Sequence, residues 1–178
     1  MLRTILTYGL ISGVIVVVGM IGSIMMPGHQ HSVWLGYLIM LVALSAILVG
    51  VKQYRDQALG GVIKFRTALL AGLGIATVAS VAYVLAWEVY EAMTHYAFMG
   101  EYIDQTLQAK RAAGVTGAAY AKAVAQMETL RVQYANPLYR MPMTFVEIFP
   151  VGLVIALVSA VLLRNPKFLP ARSRPVAA

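Results

Sequence analysis

Glu88, Glu91 and His95 lie three and seven residues apart within the hydrophobic stretch Phe65–Tyr96, a spacing that puts all three on one face of an α-helix. Two carboxylates and an imidazole in that arrangement could hold a divalent cation, with Glu147 from a second apolar stretch as a further oxygen ligand and His29 or His31 nearby. Glu88 alone, beside Trp87, could instead relay a proton or line an ion path, because an acid inside an apolar span costs on the order of 3 kcal/mol to insert. The metal reading has little behind it. The E-x-x-H spacing of carboxylate-bridged di-iron bundles and the H-E-x-x-H motif are both missing. The ordinary expectation is that Glu91 and His95 are solvated on a helix emerging from an apolar layer, while Glu88 bonds a neighbouring Tyr, Trp or backbone group. Glu147 has its own ordinary reading: with Thr144 three residues earlier it forms a capping box, T-x-x-E, at the start of a helix.

Other chemistries find less support. Met25, Met26, Met93, Met99, Met127, Met141 and Met143, with the histidines, could offer soft ligands to Cu(I), but Met141-Pro142-Met143 is the single M-x-M or M-x-x-M pattern, and methionine is an ordinary gap-filler in apolar helices. The chain has no cysteine, which excludes disulfides, thiolate metal sites and a Cys nucleophile. Neither a phosphate-binding loop nor G-x-S-x-G occurs, and Ser12, Ser45, Ser80 and Ser159 are single hydroxyls in apolar runs, where they bond back to the helix or join helices. The reading leans away from an enzyme, and no cofactor is expected.

The elements that position these residues follow from composition. Of 178 residues, 60% are hydrophobic and 12% charged, and the mean hydropathy is +0.76; a soluble domain has roughly 45–50% and about 25%. The net charge of +7 belongs to Lys and Arg flanking apolar spans and not to a basic stripe, so nucleic acid is not the expected partner. Four apolar runs are each about the 20 residues that cross a bilayer: about 5–26, 33–51, 65–93 and 144–163. The first is too long for a secretory leader and is read as a retained span. Pro27-Gly28 and the link His29–Ser32 fold the first two spans into a hairpin, with Ser32 as N-cap of the second and Trp34 and Tyr37 as interfacial aromatics. Lys52, Tyr54, Arg55 and Asp56, followed by Gly60-Gly61, read as a compact polar cytoplasmic loop. Between spans three and four the sequence turns to Ala, Gln, Lys, Glu and Tyr, giving two surface helices at about 99–113 and 118–134 broken around Gly114 and Gly117 and ended by Asn136-Pro137. Residues 1–165 thus read as one four-span domain with an outer helical segment at about 97–140, and 166–178 as a basic cytoplasmic tail, disordered or lying along lipid headgroups.

Charge sets the expected orientation. Arg3, Lys52, Arg55, Lys64, Arg66, Arg164, Lys167, Arg172 and Arg174, nine in all, fall on one side; Lys110, Arg111, Lys122, Arg131 and Arg140, five, fall on the other. The positive-inside rule then makes both termini cytoplasmic and brings Glu88, Glu91, His95, Glu147, His29 and His31 towards the outer face. Small residues recur at four-residue spacing, Gly9 and Gly13 in span one, Ala68, Gly72, Ala76 and Ser80 in span three, Gly152, Ala156 and Ala160 in span four. Such seams let helices approach closely, and they are read as pointing to a homo-oligomer or to a membrane-protein partner.

Several separated blocks carry a family resemblance: Gly36–Met40, Ala43–Ser45, Gly50–Asp56, Gly60–Phe65, Trp87–Tyr90, Asn136-Pro137 and Thr144–Leu153. Over about Leu6–Leu163 the chain resembles a family of bacterial membrane proteins known as a domain of unknown function, number forty-one ninety-nine. The resemblance implies a four-span bacterial inner-membrane domain without assigning an activity. It also implies that Lys52, Tyr54, Arg55, Asp56, Trp87, Glu88 and Glu147 belong to the family pattern, and that His29, His31 and His95 do not. The expectation is therefore an all-α integral membrane protein acting as a structural or accessory module, with an oligomeric channel or proton-coupled transporter using Glu88 as the alternative, and an outer-face metal-binding protein or enzyme behind both.

Overall fold

The computed structural model of the chain describes residues 1–25 and 33–171. Among them every regular element is an α-helix: α1 (Leu2–Met25), α2 (Val33–Leu44), α3 (Ala46–Ala58), α4 (Phe65–Met93), α5 (Phe98–Ala112), α6 (Gly117–Tyr134) and α7 (Pro137–Leu163). Four stretches are long and apolar enough to cross a membrane: Leu2–Ser23, Trp34–Ala58, Phe65–Met93 and Pro137–Leu163. His29, His31 and Ser32 lie outside the described residues, as do Arg172 and Arg174.

The second span is α2 and α3 in series. Ser45 keeps helical backbone angles, but its Oγ donates to the Val42 carbonyl at 2.6 Å and the Leu48 amide reaches back to the Ser45 carbonyl, tightening one turn. The helix then runs through Lys52–Asp56 to Ala58, so these residues occupy its last turns and are not the polar loop expected after Val51. Side chains explain the extension. Lys52 Nζ and Asp56 Oδ2 pair at 2.5 Å across one turn, and the Arg55 stem is wholly buried, so a polar-looking segment has a packed face.

The chain divides into two compact units, Met1–Tyr83 with Phe145–Ala178, and Val84–Thr144. The first holds the larger apolar core, built from Leu44, Ile47, Val51, Ile75, Ile148 and Leu163 with small residues between them. Here the seams are used within the chain. A Cβ added at Gly72 would stand 2.9 Å from Ala156 Cβ, and one added at Gly152 would stand 2.8 Å from Ala76 Cβ, so α4 and α7 touch along interlocked small residues. The Gly9 and Gly13 side of α1 meets Val78 and Ala82 of α4 in the same way. With both sides of each seam occupied, the seams supply no argument for a second copy.

Within Val84–Thr144, α5 and α6 form a hairpin around Met99, Ile103 and Tyr134, supported by Phe98, Leu107, Met127 and Leu130. The turn between them uses Gly114 at φ 79° and Gly117 at φ 59°, left-handed angles that glycine adopts without steric cost. Asn136-Pro137 does end α6, but it also starts α7 seven residues before the expected Thr144. Asn136 Oδ1 accepts the Leu138 amide at 3.0 Å, and Pro137 fits the first helical position, where its missing N–H would have no partner. Thr144 is consequently inside α7, its Oγ1 bonded to the Arg140 carbonyl, and the expected T-x-x-E capping box with Glu147 does not form.

Candidate functional site

Two sets of polar side chains stand out, one in each unit. In Val84–Thr144, α4 ends at Met93 because His95 and Tyr96 take left-handed angles, φ 53° and 58°, and the Tyr96 amide closes onto the Glu91 carbonyl at 2.8 Å. His95 therefore leaves the helix and does not extend the face of Glu88 and Glu91. Non-glycine residues in this region cost on the order of 1 kcal/mol each. The turn lays the Tyr96 ring over the Arg140 guanidinium, 5.1 Å from its centre.

Arg140 organises the site. Its Nε donates to Glu88 Oε1 at 2.8 Å and its Nη2 to Glu88 Oε2 at 2.5 Å, a two-bond fork. Its Nη1 donates to the Tyr134 carbonyl at 3.1 Å. Beside Glu88 on α4, Trp87 Nε1 donates to the Tyr134 hydroxyl at 2.7 Å, and that hydroxyl donates to Glu91 Oε1, about one turn further along, at 3.2 Å. Trp87 is fixed further by edge contact with Phe98 and stacking on Tyr90. Burial pushes the Tyr134 phenol well above its ordinary range, so it stays a neutral donor at physiological pH. Glu91 is wholly buried, contrary to the solvated position expected for it. Its Oε2 has no hydrogen-bond partner. Beside this network opens a cleft of about 470 Å³ lined by Tyr96, Met99, Gly100, Arg131, Tyr134, Ala135 and Arg140.

Trp87, Glu88 and Glu91 are thus brought together as the sequence proposes, with Tyr134 and Arg140 as partners that sequence reasoning did not single out. A signal existed for Arg140: it is the last charge before the apolar run into span four, as Glu88 and Glu91 are the last charges of span three, and such charges seek one another where water thins out. Tyr134 carried none. Among the described residues no three His, Asp or Glu side chains gather as metal ligands.

In the other unit, Arg55 is wholly buried and grips the segment after α7. Its Nη1 donates to the Phe168 carbonyl at 3.0 Å, its Nη2 to the Leu169 carbonyl, and its Nε to Asp56 Oδ1 at 2.7 Å, while Lys52 shares the same carboxylate. Tyr54 packs at the edge of the core. Residues 166–171, expected to be free tail, are therefore held. Glu147 belongs to this unit too and lies on the exposed face of α7, between Val146 and Ile148, with no hydrogen bond or ion pair among the described residues.

The described residues thus form an all-helical protein with four stretches long and apolar enough to span a bilayer, which is compatible with a membrane protein, and with an Arg–Glu–Tyr–Trp network within Val84–Thr144. The family model described as "Protein of unknown function (DUF4199)" matches residues 7–165, and the chain belongs to that family. No curated protein and no solved structure matches it.

Proposed function

We propose that the chain is an accessory module of the bacterial inner membrane that packs on a larger membrane protein through the exposed face of α7. Glu147 is the observation that carries this reading. On α7 the residues Met143, Val146, Glu147, Pro150, Leu153, Val154, Leu157, Val158 and Val161 follow one another at helical spacing along an exposed face. In a bilayer that face meets hydrocarbon, and a lone carboxylate there costs a few kcal/mol unless a donor or cation covers it. A second copy related by two-fold symmetry would bring Glu147 against Glu147, so a different chain offering Lys, Arg or a hydroxyl is the favoured partner. With both termini cytoplasmic, α5 and α6 belong to the outer side of the membrane.

Glu88 fits this reading better than a transport role. Both its oxygens are engaged by Arg140, so it acts as a clasp within Val84–Thr144, and Glu88→Gln is expected to lower stability without altering ion flux in proteoliposomes.

The test uses the lack of native cysteine. A single Val154→Cys in native membranes should cross-link to another membrane protein, and Glu147→Leu in the same chain should abolish the product. Cross-linking only to itself would favour self-association; no product on any α7 position from Val146 to Val158 would contradict docking through this face.

A further inference from the structure

The network in Val84–Thr144 contains one guanidinium and two carboxylates. Arg140 spends its fork on Glu88 and its Nη1 on the Tyr134 carbonyl. Glu91 receives a single hydrogen bond, from Tyr134, on Oε1. No cation lies within ion-pair distance of it among the described residues, and its buried Oε2 meets no donor. An ionised carboxylate stripped of water in this way is penalised by several kcal/mol, and a carboxyl group escapes the penalty by retaining its proton. The groups acting on Glu91 are few. Glu88 and Tyr90 come from its own helix, Tyr134 from α6 and Arg140 from α7, while α5 contributes the apolar Met99 and Ile103 to the cluster around Tyr134, and its Glu101 acts on Tyr90.

Tyr134 stands between this carboxyl and the cleft. Its hydroxyl touches Glu91 on one side, and the residue forms part of the wall of the open cleft on the other. Because the hydroxyl oxygen already accepts the Trp87 indole N–H, its one proton is directed at Glu91. The same contact makes Trp87 a reporter of whatever happens at Glu91.

We propose that Glu91 is a reversible proton-binding site reached from the cleft past Tyr134, and that its proton keeps the Trp87–Tyr134–Glu91 chain closed. On release the proton passes to water in the cleft, leaving a carboxylate with the Tyr134 hydroxyl as its one donor, and nothing else is consumed or formed. The negative charge then draws water to Oε2 and loosens the chain. This site is independent of the α7 docking face, so either can fail alone.

The full-length protein in lipid nanodiscs provides the test. The chain has two tryptophans, and Trp34→Phe leaves Trp87 as the single emitter. Its emission and the infrared C=O stretch of protonated carboxyl groups are followed together across neutral pH. The expected result is a protonated-carboxyl band that disappears as pH rises, with a parallel change in Trp87 emission, both lost in Glu91→Gln. Tyr134→Phe, which keeps the carboxyl and removes its donor, should move the band frequency and shift the midpoint by about one pH unit. A band that is missing at every pH overturns the proposal, as does a titration that survives Glu91→Gln. If Glu91→Gln does not fold, Tyr134→Phe decides: an unmoved band and midpoint place the proton elsewhere and overturn it.

Discussion

The two units of this chain solve the same problem with different chemistry. The unit Met1–Tyr83 with Phe145–Ala178 is held by backbone approach: Gly72 against Ala156, Gly152 against Ala76, and the Gly9 and Gly13 side of α1 against α4. Between apolar helices in lipid no hydrophobic force favours contact over lipid, so close packing of small residues has to supply it. Val84–Thr144 has a much smaller apolar cluster and gains specificity from directed bonds, with Arg140 and Tyr134 each tying two or more segments together. Small-residue packing tolerates loss of polarity but not of space. The polar network has the opposite sensitivity.

Substitutions can break that contrast in order of size. Arg140→Met leaves the Glu88 carboxylate and the Tyr134 carbonyl without their donor, and is expected to cost about 3–5 kcal/mol. The loss should fall on Val84–Thr144 alone, read as faster amide exchange over residues 84–144 with exchange in α1 to α3 unchanged. Gly72→Leu should cost about 1–3 kcal/mol by overpacking against Ala156, and here protection should fall in α4 below Tyr83 and in α7 beyond Phe145. Ser12 is buried in the first unit with an unpartnered hydroxyl, so Ser12→Ala should be neutral or stabilising by up to about 1 kcal/mol in thermal unfolding. The smallest effect is alkaline. Burial raises the Tyr134 phenol, so its contribution is complete below the unfolded value near pH 10 and declines as pH rises above it, when the unfolded chain ionises first. Tyr134→Phe should flatten that decline; equal slopes in both proteins would show that the phenol is not buried in solution.

The contrast also explains what could be read from the chain itself. The four apolar stretches, the two helices α5 and α6, and the seam positions were legible because apolar length, helical period and small-residue spacing are local properties of sequence. The end of α3 and the start of α7 were not. Lys52–Asp56 looks like a loop until the burial of Arg55 is known, and Asn136-Pro137 marks the end of one helix and the start of the next with the same two residues. At the site, the spacing of Glu88 and Glu91 indicated a shared face, yet their fates diverge. Glu88 meets Arg140 and Glu91 is sealed under Tyr134, partners 52 and 43 residues away in sequence. That distinction arises from tertiary packing, which no local spacing encodes.

The proposed docking through α7 is tested most directly by oxygen accessibility of a spin label attached to a single Val158→Cys in native membranes. The expected result is low accessibility, as a partner helix covering the face around Glu147 would give, rising towards the lipid value in Glu147→Leu. Full lipid-like accessibility in the otherwise native chain would contradict it.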